Sequence, residues 1–143
     1  MTKILFVCHG NICRSPMAEF VLKDMVKKAG RAAEFEIASV AVSREELGNP
    51  VYPPARRELN AHGIGCEGHC ARQITARDVA YFDHIYYMDG RNWQYLKRLF
   101  GEKANKCQPL LSRDVADPYY CGGFEETYRD IEEGCRRILE ELA

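Results

Sequence analysis

The run from Lys3 to Val7, the curled stretch Cys8-His9-Gly10-Asn11-Ile12-Cys13-Arg14-Ser15-Pro16 and the helical periodicity after it limit the folds open to this chain more than any other feature. Ile4-Leu5-Phe6-Val7 is continuously apolar rather than alternating, as a strand buried on both faces of a parallel sheet must be. Ser15 followed by Pro16 reads as an N-cap and first helical position. Ala18, Val21, Leu22, Met25, Val26 and Ala29 then recur at the spacing of one buried helical face, and Gly30 closes it.

The same alternation continues downstream. Phe35 to Val42 reads as a second strand, and Tyr52 to His62 as a short helix entered through Pro53-Pro54 and stopped by Gly63-Ile64, with Leu59 and Ile64 facing inward. His84 to Met88, rich in aromatic and β-branched residues, is a third strand. Asp89-Gly90 turns it into a helix carrying Trp93, Leu96 and Phe100. Cys107 to Leu111 is a short fourth strand, and the Arg113 to Gly123 loop leads to a last helix marked by Phe124, Tyr128, Ile131, Cys135, Ile138 and Leu142. Strand and helix in alternation imply an α/β fold: a small parallel sheet with helices on both faces, joined by right-handed crossovers. Residues 1–143, of which 46% are hydrophobic, suffice for one domain with its own core. Such sheets bind ligands at the carboxyl ends of their strands, and Cys8 lies at one of these ends.

Loop, helix start and Arg14 together make an anion cradle. Converging backbone N–H groups and the positive end of a helix dipole favour a bound phosphate. The same field favours the thiolate of Cys8, the nucleophilic form of cysteine. The planar guanidinium of Arg14 can grip two phosphoryl oxygens at once. Gly10 and Asn11 are residue types that accept the positive φ a curled loop requires. Far downstream, Asp117-Pro118-Tyr119-Tyr120 supplies a carboxylic acid that can protonate a leaving oxygen, with Pro118 keeping Asp117 extended.

Cys8 to Pro16, with Asp117-Pro118 after the fourth strand, resembles the signature of low-molecular-weight protein tyrosine phosphatases over nearly the whole chain. The resemblance implies a three-layer, Rossmann-like sandwich around a four-stranded parallel sheet, of the phosphotyrosine phosphatase I type. It implies hydrolysis of protein phosphotyrosine, with Cys8 as nucleophile, Asp117 as general acid and then base, Arg14 and the amides of His9, Gly10, Asn11, Ile12 and Cys13 holding the phosphate, and no metal or other cofactor. Ser15 is open to two roles, helix cap and hydrogen-bond donor to the Cys8 sulfur. Asn11 resembles a family asparagine pinned by a Ser and a His, for which Ser39 and His69 are the matching residues. Tyr119 and Tyr120 resemble one rim of the substrate slot. Glu45 and Leu47 stand on the opposite rim, and Glu45 replaces an aromatic residue common in eukaryotic members, which disfavours strongly acidic substrates. The resemblance also implies a reversible Cys8–Cys13 disulfide that protects the nucleophile; a buried structural thiol is the alternative for Cys13.

Other classes fit less well. A net charge of −1 and no long basic block speak against nucleic acid or an anionic membrane as partner. No apolar run reaches membrane-spanning length and no signal-peptide pattern precedes the first strand, so the chain is expected in the cytoplasm. Its seven cysteines then read as reduced thiols. Expected partners are a phosphotyrosine protein and, as a second candidate, a cognate tyrosine kinase. His62, Cys66, His69 and Cys70 lie close together, but their spacing fits no common zinc motif. A thiol-dependent arsenate reductase shares the cysteine-arginine loop but needs further redox cysteines after the third strand, and Phe82 to Asn92 has none. A protein-arginine phosphatase is the nearest alternative; those enzymes carry Thr where Ile12 stands, and the apolar Ile favours an aryl phosphate. An anion-binding regulator that is no enzyme leaves Cys8, Arg14 and Asp117 without a purpose.

Overall fold

The computed structural model describes residues 1–142. Its four strands are β1 (Thr2–Cys8), β2 (Phe35–Ala41), β3 (His84–Tyr87) and β4 (Cys107–Pro109), all parallel and in the order β2-β1-β3-β4. β1 is central and pairs with β2 along its whole length, from Thr2 opposite Phe35 to Cys8 opposite Ala41. The helices are α1 (Arg14–Lys28), α2 (Pro53–Ala61), α3 (Ala76–Tyr81), α4 (Gly90–Phe100), α5 (Pro118–Cys121) and α6 (Phe124–Glu141).

Side chains of β1 alternate between two cores, which explains why its run is apolar throughout. Ile4, Phe6 and Cys8 belong to a cluster with Met17 and Leu22 of α1, Leu59 of α2 and Ile131 and Cys135 of α6. Leu5 and Val7 belong to a second cluster, with Val40, Ile85, Val79 of α3 and Leu96 of α4. The sheet is thus the middle of three layers. α6 packs so tightly that a Cβ on Gly134 would stand 2.5 Å from Leu110 Cγ. α2 is tied to α6 by the His62 ring, stacked on Tyr128 at 3.8 Å.

The expected strands and long helices are present, with differences at their ends that have physical causes. α1 begins at Arg14, with Cys13 at the N-cap and no side-chain capping bond, so Ser15 is not the cap expected from Ser15-Pro16. Asp89, read as part of a turn, is the true N-cap of α4: Asp89 and Asn92 form a reciprocal capping box. α3 was not expected, although Thr75-Ala76-Arg77-Asp78 carries the capping-box pattern that the structure uses there. The expected Arg113–Gly123 loop contains α5, capped by Asp117 and ended by Gly122 at φ 75°.

Candidate active site

Cys8 ends β1, and the chain leaves it between neighbouring strand ends: Val42 N–H donates to Cys8 O at 2.9 Å and Ser43 N–H to His9 O at 3.1 Å. The loop then curls through Asn11, the one non-glycine residue with positive φ (60°) among the described residues. That turn aims the Asn11 N–H at Cys8 Sγ, 3.3 Å away. Gly10 does not share the left-handed conformation expected of it. Its small size serves a close approach instead, since a Cβ there would lie 3.2 Å from Glu46 Cγ.

A chain of hydrogen bonds holds Asn11 and has a definite direction. Arg72 N–H donates to Asn11 Oδ1 at 3.2 Å, which fixes the amide so that Nδ2 donates to Ser15 Oγ at 2.8 Å and Ser39 Oγ at 3.0 Å. Ser39 in turn donates its proton to Glu19 Oε1 at 2.6 Å. Ser15 therefore receives a hydrogen bond from Asn11, and its own proton is left for Cys8 Sγ at 3.0 Å or Val40 O at 3.3 Å. His69 Nε2 lies 2.7 Å from the Asn11 carbonyl, which only accepts, so this nitrogen carries the proton. Ser39 and His69 are thus both bonded to Asn11.

Arg14 is 2% exposed and is held from three directions. Nη1 donates to Asp89 Oδ2 at 2.6 Å and to Val115 O at 2.7 Å, and Nη2 to Asp117 Oδ2 at 3.4 Å. Burial by itself would lower the pKa of the guanidinium, but the negative charges of Cys8, Asp89 and Asp117 outweigh it and raise it. Asp89 answers in kind: burial raises its pKa, and Arg14 with the capping amides pulls it below the ordinary carboxylate range. Asp117 receives Tyr119 N–H at 3.1 Å on its other oxygen.

These groups surround a cleft of about 140 Å³ with Cys8, His9, Gly10, Ile12, Cys13 and Arg14 as its floor. Tyr119, Tyr120 and Asp117 form one wall, and Tyr119 is braced by Tyr52, whose ring centroid is 5.0 Å away. Glu45 and Glu46 form the other wall. Leu47, expected on that rim, is exposed and does not line the cleft; Glu46 takes its place. Burial, with Cys8 adding to it, pushes the Cys13 thiol up, so Cys13 is protonated at neutral pH. Among the described residues no group of three or more His, Cys, Asp or Glu is disposed to hold a metal ion. His62 is engaged with Glu58 and Tyr128, and His69 with Asn11.

Asp89, Glu46, Arg72 and Glu19 were missed in the sequence. Arg14 and Asp89 are 75 residues apart, and no local pattern announces a pair at such separation. The signal within reach was capping: Asp89 and Asn92 have capping-box spacing, and a carboxylate there sits at the carboxyl end of β3, facing the loop.

Comparison with known proteins agrees with this geometry. The family model described as low molecular weight phosphotyrosine protein phosphatase matches residues 3–143. The low molecular weight protein-tyrosine-phosphatase YfkJ of Bacillus subtilis is 37% identical over 150 residues, covering 99% of this chain and 96% of that protein. Its crystal structure superposes with a TM-score of 0.96, at 36% identity and covering 99% of this chain and 94% of that one. SP-PTP, a low molecular weight protein tyrosine phosphatase from Streptococcus pyogenes, gives 0.93 at 39% identity, covering 100% and 94%. DARP, a Drosophila arginine phosphatase, gives 0.88 at 33% identity, covering 99% and 98%. The chain belongs to the low-molecular-weight protein tyrosine phosphatase family, whose members are cysteine-dependent phosphatases.

Proposed function

We propose that the chain hydrolyses phosphotyrosine in proteins through a cysteinyl-phosphate intermediate. The observation that carries this reading is the convergence of the Cys8 sulfur, the Arg14 guanidinium and the Asp117 carboxyl on one cleft, with Arg14 bonded to Asp117 at 3.4 Å. Cys8 thiolate attacks phosphorus in line, the P–O bond to the phenol breaks, and Asp117 gives its proton to the departing oxygen. Asp117, now ionised, takes a proton from water, whose oxygen attacks the phosphorus and expels Cys8 as thiolate. Arg14 and the loop amides stabilise the charge on the equatorial oxygens, work that metal ions do in other phosphoryl-transfer sites. The Ser15 hydroxyl, whose oxygen accepts from Asn11, keeps its proton free to donate to the sulfur and make it a better leaving group in the second step. Asn11, Ser39 and His69 act as positioning residues for the loop. The walls formed by Tyr119 and Tyr120 suit a phenyl ring.

A second reading, hydrolysis of phosphoarginine, is favoured by the likeness to the Drosophila arginine phosphatase. The apolar Ile12 in the floor argues for the aryl ester. Phosphoproteins are the substrate class under either reading, and we add a tyrosine kinase as a candidate partner. No helix among the described residues is long and apolar enough to cross a membrane, and we place the chain in the cytoplasm. The deciding experiment compares kcat/KM on phosphotyrosine, phosphoserine and phosphoarginine peptides, with Cys8→Ser as control. Phosphotyrosine should lead, and Cys8→Ser should abolish turnover while still binding phosphate. A lead for phosphoserine, or full activity in Cys8→Ser, overturns the reading.

A further inference from the structure

The wall opposite the tyrosines carries charge that the mechanism does not use. Glu45 and Glu46 follow one another there, and both line the cleft. Glu45 is well exposed and bonded through Oε2 to His9 Nε2 at 2.7 Å. His9 belongs to the floor, and its ring is set edge-on to Tyr95 with centroids 5.6 Å apart. The bond therefore fixes the Glu45 carboxylate relative to the nucleophile's own loop. Glu46 accepts from Asn49 Nδ2 at 2.6 Å and leans on Gly10, so it too is held over the floor. A carboxylate offers about four acceptor positions. His9 and Asn49 use one on each, which leaves both groups free to receive a substrate cation.

Asp117 on the facing wall and Asp89 in an adjoining groove are both bonded to Arg14, whereas among the described residues no Lys or Arg pairs with Glu45 or Glu46. Beyond His9, Asp117 and Tyr120 that groove is lined by Arg91, whereas Arg44, next to Glu45 in sequence, lines neither. Resting on the reading of the chain as a phosphotyrosine hydrolase, we propose that Glu45 and Glu46, with His9 orienting Glu45, select phosphopeptides bearing lysine or arginine beside the phosphorylated residue. The phosphate enters the cradle, and a flanking ammonium or guanidinium lies against the two carboxylates. Flanking acidic residues meet repulsion at the same place. The pairs are exposed, so each is worth about a two- to fivefold change in specificity.

The test uses three phosphotyrosine peptides that differ only at the two residues next to phosphotyrosine, which are Lys, Ala or Glu. At low salt kcat/KM should fall in the order Lys, Ala, Glu, with about tenfold between the extremes, carried by KM rather than kcat. In about 1 M salt, where the Debye length is roughly 3 Å, the spread should collapse. Glu45→Lys, which sets one new ammonium against the remaining Glu46 carboxylate, should flatten the order, and the double variant Glu45→Lys with Glu46→Lys should reverse it. Equal kcat/KM on all three peptides, or an unchanged order in the double variant, overturns the proposal while hydrolysis itself stands. Failure to hydrolyse any of the three overturns the phosphotyrosine reading and this proposal with it.

Discussion

Replacing Asp89 with Asn isolates one buried charge pair while sparing the helix it caps. Asp89 Oδ1 receives Asn92 N–H at 2.9 Å, a task an Asn carbonyl performs equally well. Oδ2 receives Arg14 Nη1 at 2.6 Å, and an amide with its oxygen on the cap turns its NH2 toward that donor. Removing one partner of a buried pair costs about 3–5 kcal/mol. Val115 O and Asp117 remain as acceptors for Arg14, which brings the expected loss to about 2–4 kcal/mol. For a chain of this size that is about 6–12 °C in melting temperature. Inorganic phosphate supplies Arg14 with the negative charge that the variant lacks. The gap between variant and wild type should therefore narrow as phosphate approaches saturation, the variant gaining more from the ligand.

The pH dependence has a definite sign. Burial raises the Asp89 pKa, but Arg14 more than compensates and holds it below its ordinary value. The pair therefore contributes fully above the unfolded carboxylate's range, near pH 3.9, and its contribution is lost as pH falls through the folded value. Wild type and Asp89→Asn should converge in stability on acidification. Urea denaturation at several pH values, with and without phosphate, measures all three effects. An Asn variant as stable as wild type near neutral pH, or a gap that phosphate leaves unchanged, refutes the charge-pair reasoning.

Asp117→Ala should slow hydrolysis of phenyl esters by about 10²–10⁴-fold, with a smaller loss for esters whose leaving group needs no proton; a leaving-group series measures this. Gly134→Ala should destabilise by about 1–3 kcal/mol without altering the cleft, because its methyl would stand 2.5 Å from Leu110 Cγ; urea midpoints and kcat/KM separate the two. Mild peroxide should inactivate the enzyme and dithiothreitol restore it if Cys13 closes a disulfide on oxidised Cys8. Because burial keeps Cys13 protonated, protection should be slow and should rise with pH; irreversible loss at low peroxide counts against it.

What could be read from the sequence follows from how local each feature is. The continuous run of β1 and the spaced apolar face of α1 encode burial directly, so sheet and helices were legible. Six residues make less than two turns, so α3 shows no apolar periodicity and only its capping box betrays it. Ser15-Pro16 looks like a helix start, but the curled loop brings Arg14 into the helix first and turns Ser15 inward to the sulfur. Cys8, Arg14 and Asp117 were legible as residue types with chemistry in a telling arrangement. Ser39 and His69 emerged through family likeness alone, since neither spacing nor composition links them to Asn11. Asp89, Glu19 and Arg72 act through bonds between distant segments, and only the folded chain brings those together.

One guanidinium links two parts of the machine that lie 103 residues apart in the chain. Because Arg14 grips both Val115 O and Asp117, the segment proposed to deliver the proton is moored to the same group proposed to sense the anion. Linkage then runs both ways: whatever stiffens that segment must change how tightly phosphate is held, and a bound phosphate must change the segment's freedom by the same free energy. Lesions in residues 113–121 should accordingly register as altered product affinity as well as altered turnover, without touching the cradle.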